Sequence, residues 1–297
     1  EIDAVVQCLT ESTQMGKYSR RLERQIAKLF EKKYGIYTNS GSSALYLAIE
    51  SLNLPQGSEV ITPALTFSTT VGSLVKNNLV PIFIDVEPFT FCIDHNQIEE
   101  NISSNTKAIL APNLLGNLCN WPIIRKIANK YNLVVIEDSA DTLGAKLAGK
   151  SSGAFSDISI TSFYGSHIIN CAGNGGALAV NSKDYLREAK LLRSWGRSSS
   201  LFDEKGESIE NRFNISLDGI EYDSKFVFEK IGYNVEGSEI GAAFGLIQLK
   251  NLSKNIKERQ SNFRIQQKFF KNHSEFFITP KELECSSSGW LAYPIII

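Results

Sequence analysis

The sequence predicts an α/β fold in which a mostly parallel central sheet is flanked by helices. Between about residues 20 and 180, short apolar runs rich in β-branched residues alternate with amphipathic segments, a pattern typical of a parallel sheet covered on both faces. The intervening segments have about the length that a right-handed crossover between parallel strands needs. The 297 residues, 42% hydrophobic and 21% charged, suffice for one large domain or for a large and a small domain.

Each element is predicted from its own periodicity. A first helix is predicted at residues 20–33, where four apolar side chains share one stripe: Leu22, Ile26, Leu29 and Phe30. Further helices are predicted at residues 43–52, 69–76 and 123–131. Short apolar runs predict buried strands at residues 59–62, 81–85, 108–111, 133–136, 158–161 and 177–180.

The last third of the chain has a different pattern. Residues 198–218 are polar and irregular, which predicts a long loop. Residues 238–267 have a helical period and predict one long helix, or two abutting ones, that bridges into a smaller domain. Residues 290–297 are typical of a strand that enters this smaller domain, and we expect the rest of that domain to lie beyond the chain.

Composition argues against several classes of partner. The formal net charge is −1 and no long run of like charges occurs, so nucleic acid is not an expected partner. No apolar stretch approaches the ~20 residues of a membrane span, and we predict a cytoplasmic protein. The five cysteines are widely spaced and form no Cys-x-x-Cys pair, which predicts reduced, mostly buried thiols and no metal site.

One candidate ligand site lies at residues 38–44, which follow a further strand and open a helix. In parallel sheets, ligands collect at the carboxyl ends of the strands. Residues 38–44 leave such a strand and open a helix, so the amides and hydroxyls of Gly41, Ser42 and Ser43 lie at the positive end of the helix dipole. This arrangement suits a phosphate, although serine is equally common as an ordinary helix N-cap.

Three further candidates follow other strands. Asp138 could hold a protonated heteroaromatic nitrogen, or it could cap a turn or bind a metal. Phe67 could stack on the same ring, or it could belong to the core. Ser162 could add a hydroxyl to a phosphate site, a weak indication by itself.

As a set, the segments of the chain resemble the sugar aminotransferases of the DegT/DnrJ/EryC1/StrS family, which are fold-type I pyridoxal-phosphate (PLP) enzymes. The matching segments occur in the family's order, nearly end to end: residues 39–44, 63–67, 137–140, 162–164, 175–177 and 231–234. The resemblance implies a fold-type I, aminotransferase-like large domain at residues 1–237, which binds the cofactor, and a bridging helix with the start of a smaller C-terminal α+β domain at residues 238–297. It also implies that Asp138 binds the ring nitrogen and that Asp141 contacts the cofactor. Asn234 would complete the phosphate pocket of a partner subunit in a homodimer with shared active sites.

Position 167 departs from the family. The residue 29 positions after the ring-nitrogen aspartate is the lysine that holds the cofactor covalently, and here it is His167. The same exchange marks the sugar 3-dehydratases of the family, which residues 115–118, 138–144, 195–197 and 225–234 also resemble. We therefore expect PLP or pyridoxamine phosphate (PMP) to bind noncovalently. His167 would be the general base that takes a proton from the cofactor methylene, which allows the 3-hydroxyl of the sugar to leave. A histidine suits this role because its charge changes near neutral pH, although a lone histidine is more often structural.

Two further departures concern the surroundings of the site. Residues 197–213 contain no cysteine, so the iron–sulfur cluster that some related dehydratases hold there cannot be built. This favours a redox-neutral dehydration followed by imine hydrolysis. The glycine-rich loop after the base, residues 172–176, has one extra residue, and Ile168 replaces a common histidine.

The expected function is a 3-dehydration of a nucleotide-linked 4-keto-6-deoxy sugar, with glutamate as the amino donor, in deoxysugar or surface-polysaccharide biosynthesis. Two alternatives remain open: an aminotransferase-like PLP enzyme of atypical chemistry, and a catalytically silent cofactor-binding protein. The cofactor residues argue against the silent protein, and the missing lysine argues against the aminotransferase.

Overall fold

The sheet expected from the sequence is present and has seven strands. The computed structural model describes residues 1–202, 213 and 215–297. The strands in this part of the chain are β1 (Tyr34–Thr38), β2 (Glu59–Pro63), β3 (Val80–Ile84), β4 (Thr106–Pro112), β5 (Val134–Asp138), β6 (Lys146–Leu147), β7 (Lys150–Ser151), β8 (Ile158–Ser162), β9 (Gly176–Val180), β10 (Ile215–Leu217), β11 (Ile220–Tyr222) and β12 (Ser286–Ser287). The central sheet has the order β1-β9-β8-β5-β4-β2-β3. Only β9 runs against its neighbours, which confirms the mostly parallel sheet.

Within the described residues the helices are α1 (Ile2–Glu11), α2 (Lys17–Leu29), α3 (Gly41–Glu50), α4 (Ser68–Lys76), α5 (His95–Ile98), α6 (Trp121–Tyr131), α7 (Lys183–Arg193) and α8 (Glu239–Lys271). The first predicted helix begins earlier and ends earlier than the pattern indicated. The polar loop expected at residues 198–218 includes a short 3₁₀ turn at Ser198–Leu201 and strand β10, which pairs with β11. Residues 203–212 and 214, which belong to the same predicted loop, lie outside the described residues.

Helices cover both faces of the sheet. Leu110 and Ile136 pack in one apolar cluster with the buried side of α3, whereas their neighbours Ile109 and Val135 pack in another cluster with α6. Successive residues of a strand face opposite sides of a sheet, so each strand contributes to both clusters. A third cluster joins α2 to the amino-terminal part of α8. These apolar runs are therefore buried on both faces, as their composition predicted.

The sheet topology brings strand ends to one edge. The carboxyl ends of β1, β2, β5 and β8 lie at this edge because these strands run in the same direction. The reversed strand β9 begins there, and Gly176 lies between Thr38 of β1 and Ser162 of β8. A Cβ on Gly176 would lie 2.3 Å from the carbonyl carbon of Ser40, so only glycine fits between the strand and the start of α3.

The second half of the chain differs in part from the sequence expectation. Helix α8 is one helix of 33 residues, so the alternative of two abutting helices is wrong. Its Glu239 carboxylate is buried and accepts hydrogen bonds from the amides of Gly16 and Tyr18, which fixes the amino-terminal end of α2.

The strand expected at residues 290–297 is wrong, because only Ile296 pairs there, in an isolated bridge with Ile278. A strand needs a neighbouring strand to pair with along its length. Among the described residues, no neighbouring strand pairs with residues 290–297 beyond this single bridge.

The structure also tests the expectations for the cysteines and for a membrane span. Four of the five cysteines are buried, all five are free, and Cys285 is exposed. Among the described residues, no helix is long and apolar enough to cross a membrane. The division into domains at residues 237 and 238 stays a prediction.

Candidate cofactor and catalytic site

The residues of the predicted anion site lie at the start of α3. The N-cap residue Ser40 accepts a hydrogen bond from the Ser43 amide at 3.0 Å, and the Ser43 hydroxyl donates to Asn39 Oδ1 at 2.6 Å. The first amides of a helix have no acceptor within it, so those of Gly41 and Ser42 face outward from the capped turn. The sequence motif is therefore both an ordinary N-cap and a positive helix end.

Ser162 lies directly beside this helix end. A Cβ built on Gly41 would lie 2.6 Å from Ser162 Cβ and 3.0 Å from its Oγ. The Ser162 hydroxyl accepts a hydrogen bond from the Tyr164 amide at 3.3 Å, and the residue is 8% exposed. The two predicted phosphate-binding elements, far apart in the sequence, thus meet in the fold.

Asp138 is a buried carboxylate at the end of β5. Burial raises the pKa of its carboxyl to about 7, the Ala140 amide that donates to Oδ1 at 3.0 Å lowers it, and the charges of Asp141 and Glu137 raise it further. Among the described residues, no cationic side chain forms an ion pair with it. A protonated ring nitrogen would supply the missing positive charge, so the carboxylate fits the pyridine nitrogen of PLP.

A network that the sequence analysis did not predict lies beneath Asp138. The side chain of Glu137 is fully buried and accepts hydrogen bonds from Asn113, Ser139, Ser156 and Ser159 at 2.6 to 3.3 Å. These donors are far apart in the sequence, so their convergence could not be read from it. The only sequence signal was the pair of acidic residues, Glu137 and Asp138, at the end of β5. Because all its acceptor sites are used, Glu137 fixes the strand ends around Asp138.

His167 lies in the loop after β8, close to Asp141. Burial raises the pKa of the Asp141 carboxyl, whereas the Leu115 amide, which donates to Oδ2 at 2.9 Å, and the nearby His167 lower it. The imidazole lies edge-on to the ring of Tyr164, with the two ring centroids 6.1 Å apart. Its Nδ1 is buried, and among the described residues it has no hydrogen-bond partner. A carboxylate beside an imidazole is an arrangement that supports a general base.

Two segments that the sequence analysis did not connect to the site hold this loop. The backbone carbonyl of Leu115 accepts hydrogen bonds from the amides of Leu291 and Ala292, at 3.0 and 3.2 Å. The guanidinium of Arg259 donates to the carbonyl of Trp290 at 3.2 Å and reaches that of His167 at 3.5 Å. The segment after α8 thus touches the surroundings of both Asp141 and His167.

Phe67 and Asn234 are exposed in the single chain. The Phe67 side chain is 67% exposed at the start of α4, so the alternative that it belongs to the core is wrong. Asn234 pairs with Ser194 in an isolated bridge, and the next residue, Val235, accepts a hydrogen bond from the Asn39 amide. Asn234 therefore lies next to the loop that leads into α3, but no described contact joins it to the other predicted residues.

One cluster outside this edge has the composition of a metal site. Ligand atoms of Glu87, Asp94 and His95 lie within 4.8 Å of one another. Both oxygens of Asp94 already accept hydrogen bonds, from Asn96 and from Gln97, at the start of α5. We assign no ligand to this cluster.

The arrangement as a whole identifies a class of protein. A mostly parallel sheet with one reversed strand, flanked by helices, is the architecture of the fold-type I, aminotransferase-like enzymes. The chain belongs to the DegT/DnrJ/EryC1/StrS aminotransferase family, whose sequence profile matches residues 1–297.

Relatives of the chain have different activities. It is 34% identical over 292 residues to the lipopolysaccharide biosynthesis protein RfbH of Salmonella typhimurium, with 95% of this chain and 67% of the relative covered. It is 30% identical to the GDP-perosamine synthase of Caulobacter vibrioides, with 88% and 64% covered. The structure of the Escherichia coli GDP-4-keto-6-deoxy-D-mannose 3-dehydratase with bound hydrated PLP superposes with a TM-score of 0.89 at 30% identity and covers 100% of this chain and 75% of that chain. The chain thus spans roughly two thirds to three quarters of the length of these proteins.

Proposed function

We propose that the protein is a PLP- or PMP-dependent nucleotide-sugar 3-dehydratase that removes the 3-hydroxyl of a 4-keto-6-deoxyhexose without an iron–sulfur cluster. The observation that carries this proposal is the imidazole of His167 after β8, where the family's covalent lysine would stand, beside the carboxylate of Asp141. The similarity to the Escherichia coli 3-dehydratase, at 30% identity over the whole chain, supports it.

In this proposal, different residues at the sheet edge bind different parts of the cofactor. The amides of Gly41 and Ser42 and the hydroxyl of Ser162 would hold the cofactor phosphate, Phe67 would cover the ring, and Asp138 would pair with the ring nitrogen. The bound cofactor supplies an electron sink for carbanion chemistry. Asp138 keeps that sink effective because its carboxylate stabilises a proton on the ring nitrogen.

His167 moves the proton in this proposal. Its imidazole would take a proton from the C4′ methylene of the bound cofactor and would return a proton when the 3-hydroxyl leaves as water. Asp141 is the carboxylate next to this imidazole, and the nearby His167 lowers the pKa of the Asp141 carboxyl. Since His167 has no amine, it cannot hold the cofactor covalently, and we propose that the cofactor is bound noncovalently.

The proposed partners follow from the reaction. The substrate is a nucleotide-linked 4-keto-6-deoxy sugar, and glutamate is the proposed amino donor that regenerates the amine form of the cofactor. The protein is proposed to work in the cytoplasm, in deoxysugar or lipopolysaccharide biosynthesis, which fits its similarity to RfbH.

A second candidate is an aminotransferase that acts on a related sugar, because the Caulobacter vibrioides GDP-perosamine synthase is also 30% identical. The two candidates differ in their products. A dehydratase leaves a 3-deoxy-4-keto sugar and free ammonia, whereas an aminotransferase leaves a 4-amino sugar that keeps its 3-hydroxyl.

The test uses a full-length protein with PLP, glutamate and a panel of nucleotide-linked 4-keto-6-deoxy sugars. We expect a product lighter by one oxygen atom than the substrate, because hydrogen replaces the 3-hydroxyl while the amine form of the cofactor, regenerated by glutamate, supplies the two electrons. We expect His167→Asn to lower the rate of product formation by ~10²- to 10⁴-fold while cofactor affinity changes little. Asparagine keeps a comparable volume and some hydrogen bonding but has no basic nitrogen.

Two results would contradict the proposal. A 4-amino sugar as the sole product would favour the aminotransferase. A His167→Asn variant that dehydrates the substrate at the parental rate would return His167 to a structural role.

A further inference from the structure

A buried lysine that the proposed reaction does not use lies behind the candidate cofactor site. The side chain of Lys32 is 8% exposed, and its Nζ donates to the Gly153 carbonyl at 2.6 Å and to the Ser156 carbonyl. In the described part of the chain, no carboxylate forms a direct ion pair with it. Burial lowers the pKa of its ammonium group, the charge of Glu137 is the strongest influence that raises it, and the exposed Glu31 adds little. A buried charge is costly without an opposite charge nearby, so Glu137 supplies the counter-charge of Lys32.

A single serine joins these two buried charges. Lys32 binds the carbonyl of Ser156, and the hydroxyl of the same serine donates to Glu137 Oε2 at 3.3 Å. The charge of Asp157 also acts on Lys32, but Arg125 pairs with this carboxylate at 2.9 Å and offsets it. Glu137 is therefore the carboxylate whose charge Lys32 balances.

Glu137 and Asp138 are neighbours on β5, and their side chains lie on opposite faces of the sheet. Glu137 shares its face with Val135, which packs in the apolar cluster of α6, and Asp138 shares its face with Ile136, which packs in the cluster of α3. Glu137 is fully buried and Asp138 is 8% exposed. Their charges therefore interact across the sheet more strongly than they would in water.

The surroundings of Asp138 contain two acidic groups that act on its carboxyl. Burial raises the pKa of this carboxyl to about 7, the Ala140 amide lowers it, and the charges of Asp141 and Glu137 raise it further. The residues that pair with Asp138 on β4 and β8 carry no charge. A negative charge behind Asp138 strengthens the attraction of the site for a proton, whether the proton lies on the carboxyl or on a base bound to it.

We propose that Glu137 is a positioning residue that acts through Asp138: its charge, balanced by Lys32, strengthens the hold of the Asp138 carboxylate on a protonated ring nitrogen. The proposal rests on the role that the proposed function gives to Asp138. A glutamine at position 137 would also accept hydrogen bonds, whereas only a carboxylate balances the charge of Lys32 and attracts a proton to Asp138.

Titration of the Asp138 carboxyl in the cofactor-free protein tests the proposal. Carbon-13 NMR of protein labelled at the aspartate carboxyls follows this titration, and Asp138→Asn identifies the signal. Glu137→Gln has nearly the same shape as the parental side chain but no charge. It should lower the midpoint of the Asp138 titration by about one pH unit, because a nearby like charge raises the pKa of a carboxyl.

Glu59→Gln is the matched control. The carboxylate of Glu59 also accepts hydrogen bonds from two hydroxyls, those of Ser103 and Thr106. Glu59 is the first residue of β2, so it lies at the amino end of a strand, away from the candidate cofactor site. This variant should leave the midpoint of the Asp138 titration unchanged.

The cofactor-loaded protein gives a second readout that a purely structural role would not change. NMR of bound PLP labelled with nitrogen-15 shows whether the ring nitrogen is protonated. In Glu137→Gln the ring nitrogen should lose its proton at a pH about one unit lower than in the parental protein. If the Asp138 midpoint shifts in the cofactor-free protein but the nitrogen signal does not, the proposed contact between Asp138 and the ring nitrogen fails, while the effect of Glu137 on Asp138 stands.

Lys32→Met tests the counter-charge. Without the ammonium group, Glu137 is an uncompensated buried charge, so this variant should unfold at a lower temperature than the parental protein. The double variant Lys32→Met/Glu137→Gln should be more stable than Lys32→Met alone, because it leaves neither charge unbalanced. It should also keep a lowered Asp138 midpoint, so it replaces Glu137→Gln if that single variant does not fold.

Three results would overturn the proposal. The first is a parental Asp138 midpoint in the variants that lack the Glu137 charge. The second is an equal shift of this midpoint in Glu59→Gln. The third is a double variant that is less stable than Lys32→Met, which would show that Lys32 does not balance Glu137.

Discussion

Asp138 makes the cofactor-free protein less stable as the pH rises. The pKa of its carboxyl is about 7 in the fold, against an ordinary value of 3.8. Between these values the folded state binds more protons than the unfolded state, so stability falls with rising pH and the full penalty is present above about pH 7. Each pKa unit corresponds to about 1.36 kcal/mol, so the penalty is at most a few kcal/mol.

We therefore expect Asp138→Asn to stabilise the cofactor-free protein while it lowers activity. Asparagine has nearly the same shape but no charge, so the gain in unfolding free energy should be larger at pH 8 than at pH 5. The same variant should weaken protonation of the cofactor nitrogen and slow proton abstraction severely. Thermal unfolding at the two pH values and a rate assay measure these effects. Equal stability changes at both pH values, or full activity, would contradict the assignment.

Noncovalent cofactor binding is a second prediction for single residues. Lys146 and Lys150 belong to β6 and β7 in a separate small sheet, not to the strand end that precedes His167. Borohydride reduction of the PLP-loaded protein should therefore leave its intact mass unchanged. His167→Lys should give a reduced cofactor adduct under the same conditions and serves as the positive control. An adduct on the parental protein would show that another lysine holds the cofactor.

The sequence predicts some residues of the site much better than others. Ser162 and Asp138 directly end strands, and a strand end can be read from an apolar run followed by polar residues. The support of Asp138 could not be predicted, because Asn113 and Ser159 reach Glu137 only after three strands have paired. The family resemblance singled out His167 by its position in the sequence, 29 residues after Asp138. It did not predict that His167 lies close to Asp141 in the fold.

At the scale of elements, the close packing of the start of α3 against the end of β8 leaves no room for a larger side chain at Gly41. We expect Gly41→Ala to lower cofactor affinity by at least tenfold, about 1.4 kcal/mol, because its Cβ would lie 2.6 Å from Ser162 Cβ and would push the helix start away from the strand. Spectroscopic titration with PLP measures the change. Gly72→Ala in α4 is the control, since its Cβ would have only a 3.6 Å contact with the Tyr46 hydroxyl. This control should keep affinity and gain roughly 0.5–1 kcal/mol of stability. Equal PLP affinities of Gly41→Ala and Gly72→Ala would contradict the role of this close packing in cofactor binding.

The elements that the sequence predicted share a clear apolar pattern, and those it missed do not. The strands β2, β4, β5 and β8 were predicted from buried runs, which have the same composition whether a strand is parallel or antiparallel. The reversal of β9 therefore could not be read from its residues. Helix α7 was not predicted, because its polar face dominates and only Ala189, Leu191, Leu192 and Arg193 are buried.

At the scale of the whole molecule, exposed apolar residues cluster near Asn234. Phe226 is 70% exposed, Phe228 is 55% exposed and Ile231 is 94% exposed. Contiguous exposed apolar side chains are typical of protein interfaces. These residues belong to the segment that leads to Gly232, Tyr233 and Asn234, so we propose that this segment contacts the partner in a homodimer.

A shared active site has a consequence that mixed dimers can test. If Asn234 of one subunit completes the phosphate pocket of its partner, His167→Asn and Asn234→Ala chains are each inactive alone but complement each other. In a mixed dimer one site carries both substitutions, and the other contains an intact His167 and an intact Asn234. Equal mixing after subunit exchange should therefore restore about a quarter of the parental activity, because half of the dimers are mixed and each has one intact site. If Asn234 serves its own chain, mixing restores nothing. An active protein that light scattering shows to be monomeric would exclude the shared site altogether.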